Sequence, residues 1–325
     1  MAKLKMAVYW GAACGGCDVA ILDTQEKILE IAELADIVFW PIAVDLKYED
    51  IETTEDESID ICLYNGSVRN SEQQYVAELL RRKSKVVIAF GACACFGGIP
   101  GLANLFDRDQ ILERVYKTTP STSNPDNIYP QTEVKVKEGT LFLPHFQATV
   151  SALDKVVEVD YYIPGCPPPV NLIMGAVDAI KTGNLPPKGS VLAPEKSVCD
   201  ECPRERKEKA IPEIKRFYQV QDDGKTCLLE QGILCIGPAV RAGCEGACIK
   251  ANMPCRGCMG PTPGVIDQGA KMIGAIGSVV GLADEEIMSE SEVQELLDKV
   301  EDIIGCLHSF TLPVALINKK IKEKN

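Results

Sequence analysis

Cysteine is the residue type that could do most chemistry in this sequence. The chain of 325 residues holds 15 cysteines and only two histidines, His145 and His308, neither of which lies in a cysteine cluster. Sites built from thiolate alone suit iron–sulfur clusters or structural zinc. Most of the cysteines come in close pairs: Cys14/Cys17, Cys93/Cys95, Cys199/Cys202, Cys227/Cys235, Cys244/Cys248 and Cys255/Cys258. This spacing predicts several metal centres.

The first pair, Cys14 and Cys17, stands in a glycine-rich turn between a predicted strand and a predicted helix. Glycine lets the backbone wrap closely around a bulky inorganic ligand, because it tolerates positive φ and has no side chain. The following helix points its positive N-terminal end at the turn, which favours thiolates there. Two cysteines in such a turn make half of a metal site, so the other half must come from elsewhere in the chain.

Strands and helices alternate along residues 1–190, which predicts an α/β fold with a parallel, doubly wound sheet. The predicted strands are residues 5–10, 36–40, 59–65, 85–90 and 159–163, and the predicted helices are residues 19–34, 72–82 and 170–182. In such sheets, ligands lie outside the carboxyl ends of the strands. Three strand ends carry cysteines, so Cys14, Cys17, Cys93 and Cys166 are predicted to meet at one sheet edge; we call them the first set.

Four thiolates drawn from residues 14 to 166 favour a cubane iron–sulfur cluster, because structural zinc usually uses two close pairs in a short span. Cys95 could replace Cys93, although Cys93 follows its glycine turn directly. Asp18 could tune the cluster potential or relay protons, or it could simply be a helix N-cap. The glycines could also donate backbone N–H groups to sulfur; they stand at positions 15, 16, 91, 97 and 98.

The composition changes after residue 183, and residues 186–189 are typical of a linker. Residues 199–260 hold eight cysteines with little periodicity, and such a segment needs metals to order it. It divides into a second set and a third set: Cys199, Cys202, Cys227 and Cys235, and Cys244, Cys248, Cys255 and Cys258. We therefore expect three parts, residues 1–188 with the first set, residues 189–280 with the other two, and residues 281–325 with a C-terminal helix and tail.

Several other segments carry simpler expectations. The polar insertion at residues 116–145 is predicted to be a lid or a docking surface. The charged residues 203–217 predict a solvated helix, and residues 285–306 predict an acidic amphipathic helix. Cys62 and Cys306, which belong to no set, are expected to be core residues because buried free cysteine is common.

Charge and hydropathy restrict the class of protein. The formal net charge of −13 argues against nucleic acid as a partner, because phosphate binding needs clustered Lys and Arg. No apolar run approaches the roughly 18 residues needed for a membrane span. The N-terminus runs straight into the first strand, which predicts no signal peptide. We expect a cytoplasmic protein, in which cysteines would not form disulfides.

Four motifs together resemble the small subunit of a nickel–iron hydrogenase. They are C-G-G-C at 14–17, G-A-C-A-C-F-G-G-I-P at 91–100, P-G-C-P-P at 164–168 and P-C-R-G-C at 254–258. The resemblance covers residues 5–260 and implies a flavodoxin-like domain followed by a small irregular cluster domain. It further implies three 4Fe–4S clusters that conduct electrons to or from a nickel–iron centre in a separate large subunit. By this resemblance the first set is proximal, the third medial and the second distal.

The pattern is most similar to the cytoplasmic archaeal group, and within it to the methyl-viologen-reducing, deazaflavin-nonreducing hydrogenases of methanogenesis. Periplasmic relatives carry a twin-arginine signal, use histidine as the first distal ligand, and often place proline in the medial set; this chain has Cys199 and four medial cysteines. The resemblance implies a ferredoxin-like 2Fe–2S subunit and heterodisulfide reductase as partners. Three other interpretations stay open: a deazaflavin- or NAD(P)-reducing hydrogenase, a complex I-like quinone module, and a zinc scaffold.

Overall fold

The computed structural model describes residues 3–207, 213–279, 289, 291, 295, 298, 300 and 302–317. The strands are β1 (Leu4–Trp10), β2 (Ala35–Phe39), β3 (Ile59–Asn65), β4 (Val68–Asn70), β5 (Ser84–Phe90), β6 (Glu133–Val136), β7 (Gly139–Phe142), β8 (Phe146–Ser151), β9 (Tyr161–Ile163) and β10 (Ser190–Val191). The helices are α1 (Gly16–Leu22), α2 (Ile28–Leu34), α3 (Tyr48–Glu52), α4 (Ser71–Lys83), α5 (Ala92–Phe96), α6 (Arg108–Glu113), α7 (Val170–Thr182), α8 (Ala247–Lys250), α9 (Gln268–Val279) and α10 (Ile303–Leu307).

Six strands form one parallel sheet in the order β2-β1-β3-β5-β9-β10. This is the flavodoxin order with one strand added at the β9 edge. The predicted α/β class and parallel sheet are confirmed. The sixth strand lies just beyond residue 188, and the three-part division of the chain stays a prediction.

Side chains alternate across the sheet and build a core on each face. In β1, Met6 and Val8 face a core that contains α7 and the apolar residues of the cysteine-rich segment, such as Ile236. Ala7 and Tyr9 face the opposite core, which α4 covers. Because one core runs from the sheet into the cysteine-rich segment, this segment is packed firmly against the sheet.

Two predicted helices differ from the structure. The helix expected at residues 19–34 begins earlier, at Gly16, and is interrupted, because Thr24 donates its hydroxyl to the Ile21 carbonyl and Gln25 adopts a positive φ of 56°. The charged stretch at 203–217 contains no α-helix among its described residues. Its ends are extended instead, since Glu205 pairs with Thr226 and a second bridge joins residues 215 and 233.

The remaining expectations have mixed outcomes. Cys62 is fully buried, as predicted, whereas Cys306 is only partly buried. The helix expected at 285–306 lies mostly outside the described residues, as does the tail from 318. In the 116–145 insertion, β6 and β7 form an exposed antiparallel hairpin. Within the described part of the chain, no helix is long and apolar enough to cross a membrane.

Candidate iron–sulfur sites

The three cysteine-bearing strand ends lie side by side. Because β1, β3, β5 and β9 are neighbours in that order, the loops after β1, β5 and β9 share one edge of the sheet. Two hydrogen bonds tie the last two loops together: Gly91 N–H donates to Ile163 O at 2.8 Å, and Ala92 N–H donates to Gly165 O at 2.7 Å. The first set therefore converges on this edge.

The four thiols of the first set perturb one another. Burial raises the pKa of Cys17 first, and Cys93, Cys166 and Cys14 raise it further. Burial raises the pKa of Cys93 to about 12, with Cys166 and Cys14 adding to the effect. Like charges held together in a dry site oppose ionisation of each other, so four thiolates here need a positively charged group among them.

Glycines leave the space that the sulfurs occupy. A Cβ on Gly91 would lie 2.3 Å from Cys17 Sγ, and one on Gly98 would lie 2.4 Å from Cys93 Sγ. Both glycines have positive φ. Gly16 N–H donates to Cys14 Sγ, as the sequence predicted. Gly91 and Gly98 instead donate their N–H groups to carbonyl oxygens, so the prediction that they donate to sulfur is wrong. What these two glycines provide is space for the sulfurs, because they have no side chain.

Cys95 and Asp18 have clear structural partners. The Cys95 thiol is 2% exposed and lies 3.3 Å from Ala89 O, so it is directed into the core beneath the strand. The N-cap of α1 is Gly15 and Asp18 lies inside the helix, so the N-cap assignment of Asp18 is wrong.

The Asp18 carboxylate instead accepts hydrogen bonds from Trp40 Nε1 at 2.8 Å and from Asn65 Nδ2 at 3.0 Å. Burial raises the pKa of Asp18, and these two donors oppose that shift. Asn65 was not singled out from the sequence, although its place at the end of β3 was a usable signal.

The second set also comes together. Burial raises the pKa of Cys199 to about 12; Cys235, Cys227 and Cys202 add to this, whereas Arg206 opposes it. A Cβ on Gly237 would lie 3.1 Å from Cys199 Sγ, so a glycine again provides the room.

The third set is built around Cys255, which is buried, and Cys258, which is partly buried. Burial raises the pKa of Cys255, and Cys235 of the second set raises it further, followed by Cys258 and Cys244. Burial also raises the pKa of Cys258 to about 12, with Cys244 and Cys248 contributing. Two backbone N–H groups, those of Gly246 and Ala247, lower the pKa of Cys244 against the effect of burial.

Two contacts give the sets a spatial order. The backbone of Cys166, in the first set, lowers the pKa of the Cys258 thiol, in the third, so these two residues are neighbours. Cys255 N–H of the third set donates to Cys235 Sγ of the second at 3.3 Å. The third set therefore lies between the other two.

Glu201 joins two of these sets, and sequence reasoning missed it. It lies between Cys199 and Cys202, yet its carboxylate accepts 2.9 Å hydrogen bonds from the N–H groups of Gly243 and Glu245, on either side of Cys244. A charged residue between two paired cysteines was the signal that could have found it.

The first set opens onto a cleft of about 560 Å³. Its walls include Cys14, Trp10, Val19, Leu22, Trp40 and Ile42. Cys14 is exposed there, as are Val19 and Leu22, each more than half exposed. Among the described residues, no three Cys, His, Asp or Glu side chains converge as ligands of a single metal ion. A cubane offers four separate irons to four cysteines, so its ligands need no such convergence.

Comparison with known proteins first defines the class. The family model described as "NADH ubiquinone oxidoreductase, 20 Kd subunit" matches residues 14–180, more than half of the chain. The protein is thus an oxidoreductase subunit with the parallel α/β sheet described above.

Two relatives define the family more closely. The iron–sulfur subunit of the F420-non-reducing hydrogenase of Archaeoglobus profundus is 42% identical over 98% of this chain and 99% of its own length. The corresponding F420-non-reducing hydrogenase subunit of Methanothermobacter thermautotrophicus is 39% identical over 99% of this chain and 98% of its own. The chain belongs to the nickel–iron hydrogenase small subunits of the F420-non-reducing group. Among solved structures, the NAD+-reducing [NiFe]-hydrogenase in its H2-reduced state is similar at 29% identity and TM-score 0.49, over 57% of this chain and 94% of that one.

Hydrogenase small subunits carry iron–sulfur clusters and transfer electrons, while hydrogen reacts in a large subunit. Both statements hold for the family to which this chain belongs. The four-motif resemblance and the deazaflavin-nonreducing subgroup inferred from the sequence are therefore confirmed.

Proposed function

We propose that each set binds one 4Fe–4S cluster and that electrons pass between the large subunit and an outside acceptor through the three sets in turn. The observation that carries this proposal is the spatial order of the sets, first, third and second. It follows from the contacts Cys166–Cys258 and Cys255–Cys235. In this order the first set is proximal, the third medial and the second distal. We also propose the division at residues 188 and 280, on the change of composition after residue 183.

The residues present fit such clusters. Each set supplies four thiols, and Gly91, Gly98 and Gly237 leave space beside their sulfurs that a Cβ would fill. A bound 4Fe–4S cluster supplies reversible one-electron chemistry. Each set has at least one buried ligand: Cys17 and Cys93 in the first set, Cys235 in the second and Cys255 in the third.

The first set is where the large subunit would dock. Cys14 and Cys166 are the exposed members of that set, and Cys14 lines the cleft together with the exposed apolar side chains of Val19 and Leu22. Covering this surface with a partner would bring an outside metal centre towards the proximal set. Exposed apolar patches beside a functional group mark such interaction sites.

On the acceptor side, we propose a ferredoxin-like 2Fe–2S subunit and heterodisulfide reductase, in a cytoplasmic complex of methanogenesis. This rests on the resemblance and on the names of the relatives, which state that those proteins do not reduce F420. A complex I-like quinone module is disfavoured, because the second and third sets lie beyond the matched residues 14–180.

The test replaces Cys166 by Ala in the anaerobically purified complex, with Cys95→Ala as the matched control. Loss of one cubane removes about four of about twelve iron atoms per chain. We expect this loss, and loss of hydrogen-driven dye reduction, in Cys166→Ala. Cys95→Ala should keep all its iron, because its thiol is directed to Ala89 O. Full iron and activity in Cys166→Ala would refute the proximal assignment.

A further inference from the structure

The side chain of Arg69 is an unpaired charge inside the protein. Arg69 lies on β4 and is 6% exposed. Within the part of the chain that the structure describes, its Nε, Nη1 and Nη2 atoms all lack a hydrogen-bond partner. The guanidinium carbon lies 4.2 Å from the centre of the Phe146 ring, and Phe146 is 37% exposed. A surface ring thus covers a buried cation that has five unused donors.

The surroundings of Arg69 are positive on the side of the ring. Arg108 Nη1 lies 3.4 Å from His145 Nε2 and 3.5 Å from Phe146 O. Burial, together with the charge of Arg108, lowers the pKa of Arg69 to about 10. The nearby acid on α6 is Asp109, which is 88% exposed and pairs loosely with Arg108 at 3.6 Å. Among the described residues, no carboxylate pairs with the Arg69 guanidinium.

Arg69 lies on a separate two-stranded sheet, β4–β8, which is linked to the loop that carries the first set. β4 begins three residues after β3 ends, and Ser67 exchanges two backbone hydrogen bonds with Ala12, at 2.8 and 3.0 Å. Ala12 is two residues from Cys14. A subunit that covers the first set would therefore approach the Phe146 ring as well.

We propose that Arg69 receives a side-chain carboxylate of the large subunit, and that the Phe146 ring turns aside as this carboxylate enters. The planar guanidinium matches a carboxylate with two parallel hydrogen bonds, and the pair would be dry, since the site is already shielded from water. The inference rests on the proposed function, because it requires the large subunit to dock over the first set.

The test measures two quantities of opposite expected sign. In the cluster-reconstituted full-length chain alone, Arg69→Met removes a buried unpaired charge and should raise the unfolding temperature or leave it unchanged. In the complex, the same change should weaken binding of the large subunit about thirtyfold or more, as loss of one partner of a buried charge pair does. Arg82→Met, at an exposed arginine of α4, is the control and should change the Kd less than threefold.

Arg69→Lys keeps the positive charge but cannot form two parallel hydrogen bonds to a carboxylate, so this variant should bind the large subunit less tightly than wild type. It replaces Arg69→Met in the test if Arg69→Met does not fold. An unchanged Kd in both variants overturns the proposal, whatever the unfolding temperature does. Inorganic phosphate is the probe that tests whether Arg69 binds a free anion instead of a carboxylate of the large subunit. If phosphate stabilises the isolated wild-type chain but not Arg69→Met, and the Kd is unchanged, the ligand is a free anion. A wild-type chain that holds no iron, or that binds no large subunit, would count against the proposed function instead.

Discussion

Replacing Gly91 by Ala tests whether the first set is a cluster site or only a group of neighbouring thiols. The new Cβ would lie 2.3 Å from Cys17 Sγ, more than 1 Å inside the usual contact distance of about 3.5 Å. The backbone cannot easily retreat, because Gly91 N–H donates to Ile163 O and Gly91 O accepts from Cys95 N–H. The sulfur must therefore move, and the first set loses its arrangement.

Gly189→Ala is the matched control. Gly189 has φ of +87°, close to the +89° of Gly91, but a Cβ there would meet nothing within 4 Å. Alanine at position 91 also carries backbone strain of about 1–3 kcal/mol, because φ of +89° and ψ of +161° fall in a region that is essentially confined to glycine. Gly189→Ala carries the cost of a positive φ, about 1–2 kcal/mol, without the contact to a sulfur. We expect Gly91→Ala to lose about four of about twelve iron atoms, with loss of one cluster signal in electron paramagnetic resonance. Gly189→Ala should keep its full iron. Full iron in Gly91→Ala, or equal losses in the two variants, would show that the space beside Cys17 does not matter for a cluster.

Two further changes probe the other sets. Glu201→Gln keeps an acceptor for the N–H groups beside Cys244 but removes a negative charge. The third-set cluster should therefore become easier to reduce, and an unchanged midpoint reduction potential in a spectroscopic redox titration would contradict this. Asp222→Asn breaks a pair of 2.6 Å hydrogen bonds to the buried Arg204 guanidinium and should lower the free energy of unfolding by about 3 kcal/mol or more. The Arg204 hydrogen bonds lower the pKa of Asp222, so its stabilisation is complete above the unfolded pKa of about 3.9 and is lost as pH falls from there through the lower folded pKa. Stability curves for wild type and Asp222→Asn should therefore stay apart at neutral pH and converge only in acid.

The sequence was sufficient for the sheet and for the sheet edge at which Cys14, Cys17, Cys93 and Cys166 lie. Parallel strands are recognisable as short apolar runs between helices, and their carboxyl ends share an edge, so cysteines such as Cys93 and Cys166 could be brought together without coordinates. The family resemblance implied the order of the three sets. The particular neighbours, Cys166 with Cys258 and Cys255 with Cys235, could not be predicted, because they depend on how irregular loops pack against one another.

Side-chain competition and long-range pairing explain the errors. The residues on both sides of Thr24 predict one continuous helix. The Thr24 hydroxyl instead donates to Ile21 O and helps to end α1. The charges around Arg204 predict a solvated helix, but Arg204 is buried against Asp222 from a distant loop. The unpaired state of Arg69 has no signature in sequence, since an arginine at the end of a strand is ordinarily solvated.

The metal content of the complex, purified anaerobically through this chain, decides between a three-cluster hydrogenase relay and its alternatives. We expect nickel at about one atom per copy of this chain, and about twelve iron atoms for three cubanes in addition to the iron of the large subunit. Iron without nickel would contradict the assignment to a hydrogenase complex, and about four iron atoms with nickel would contradict the three-cluster relay.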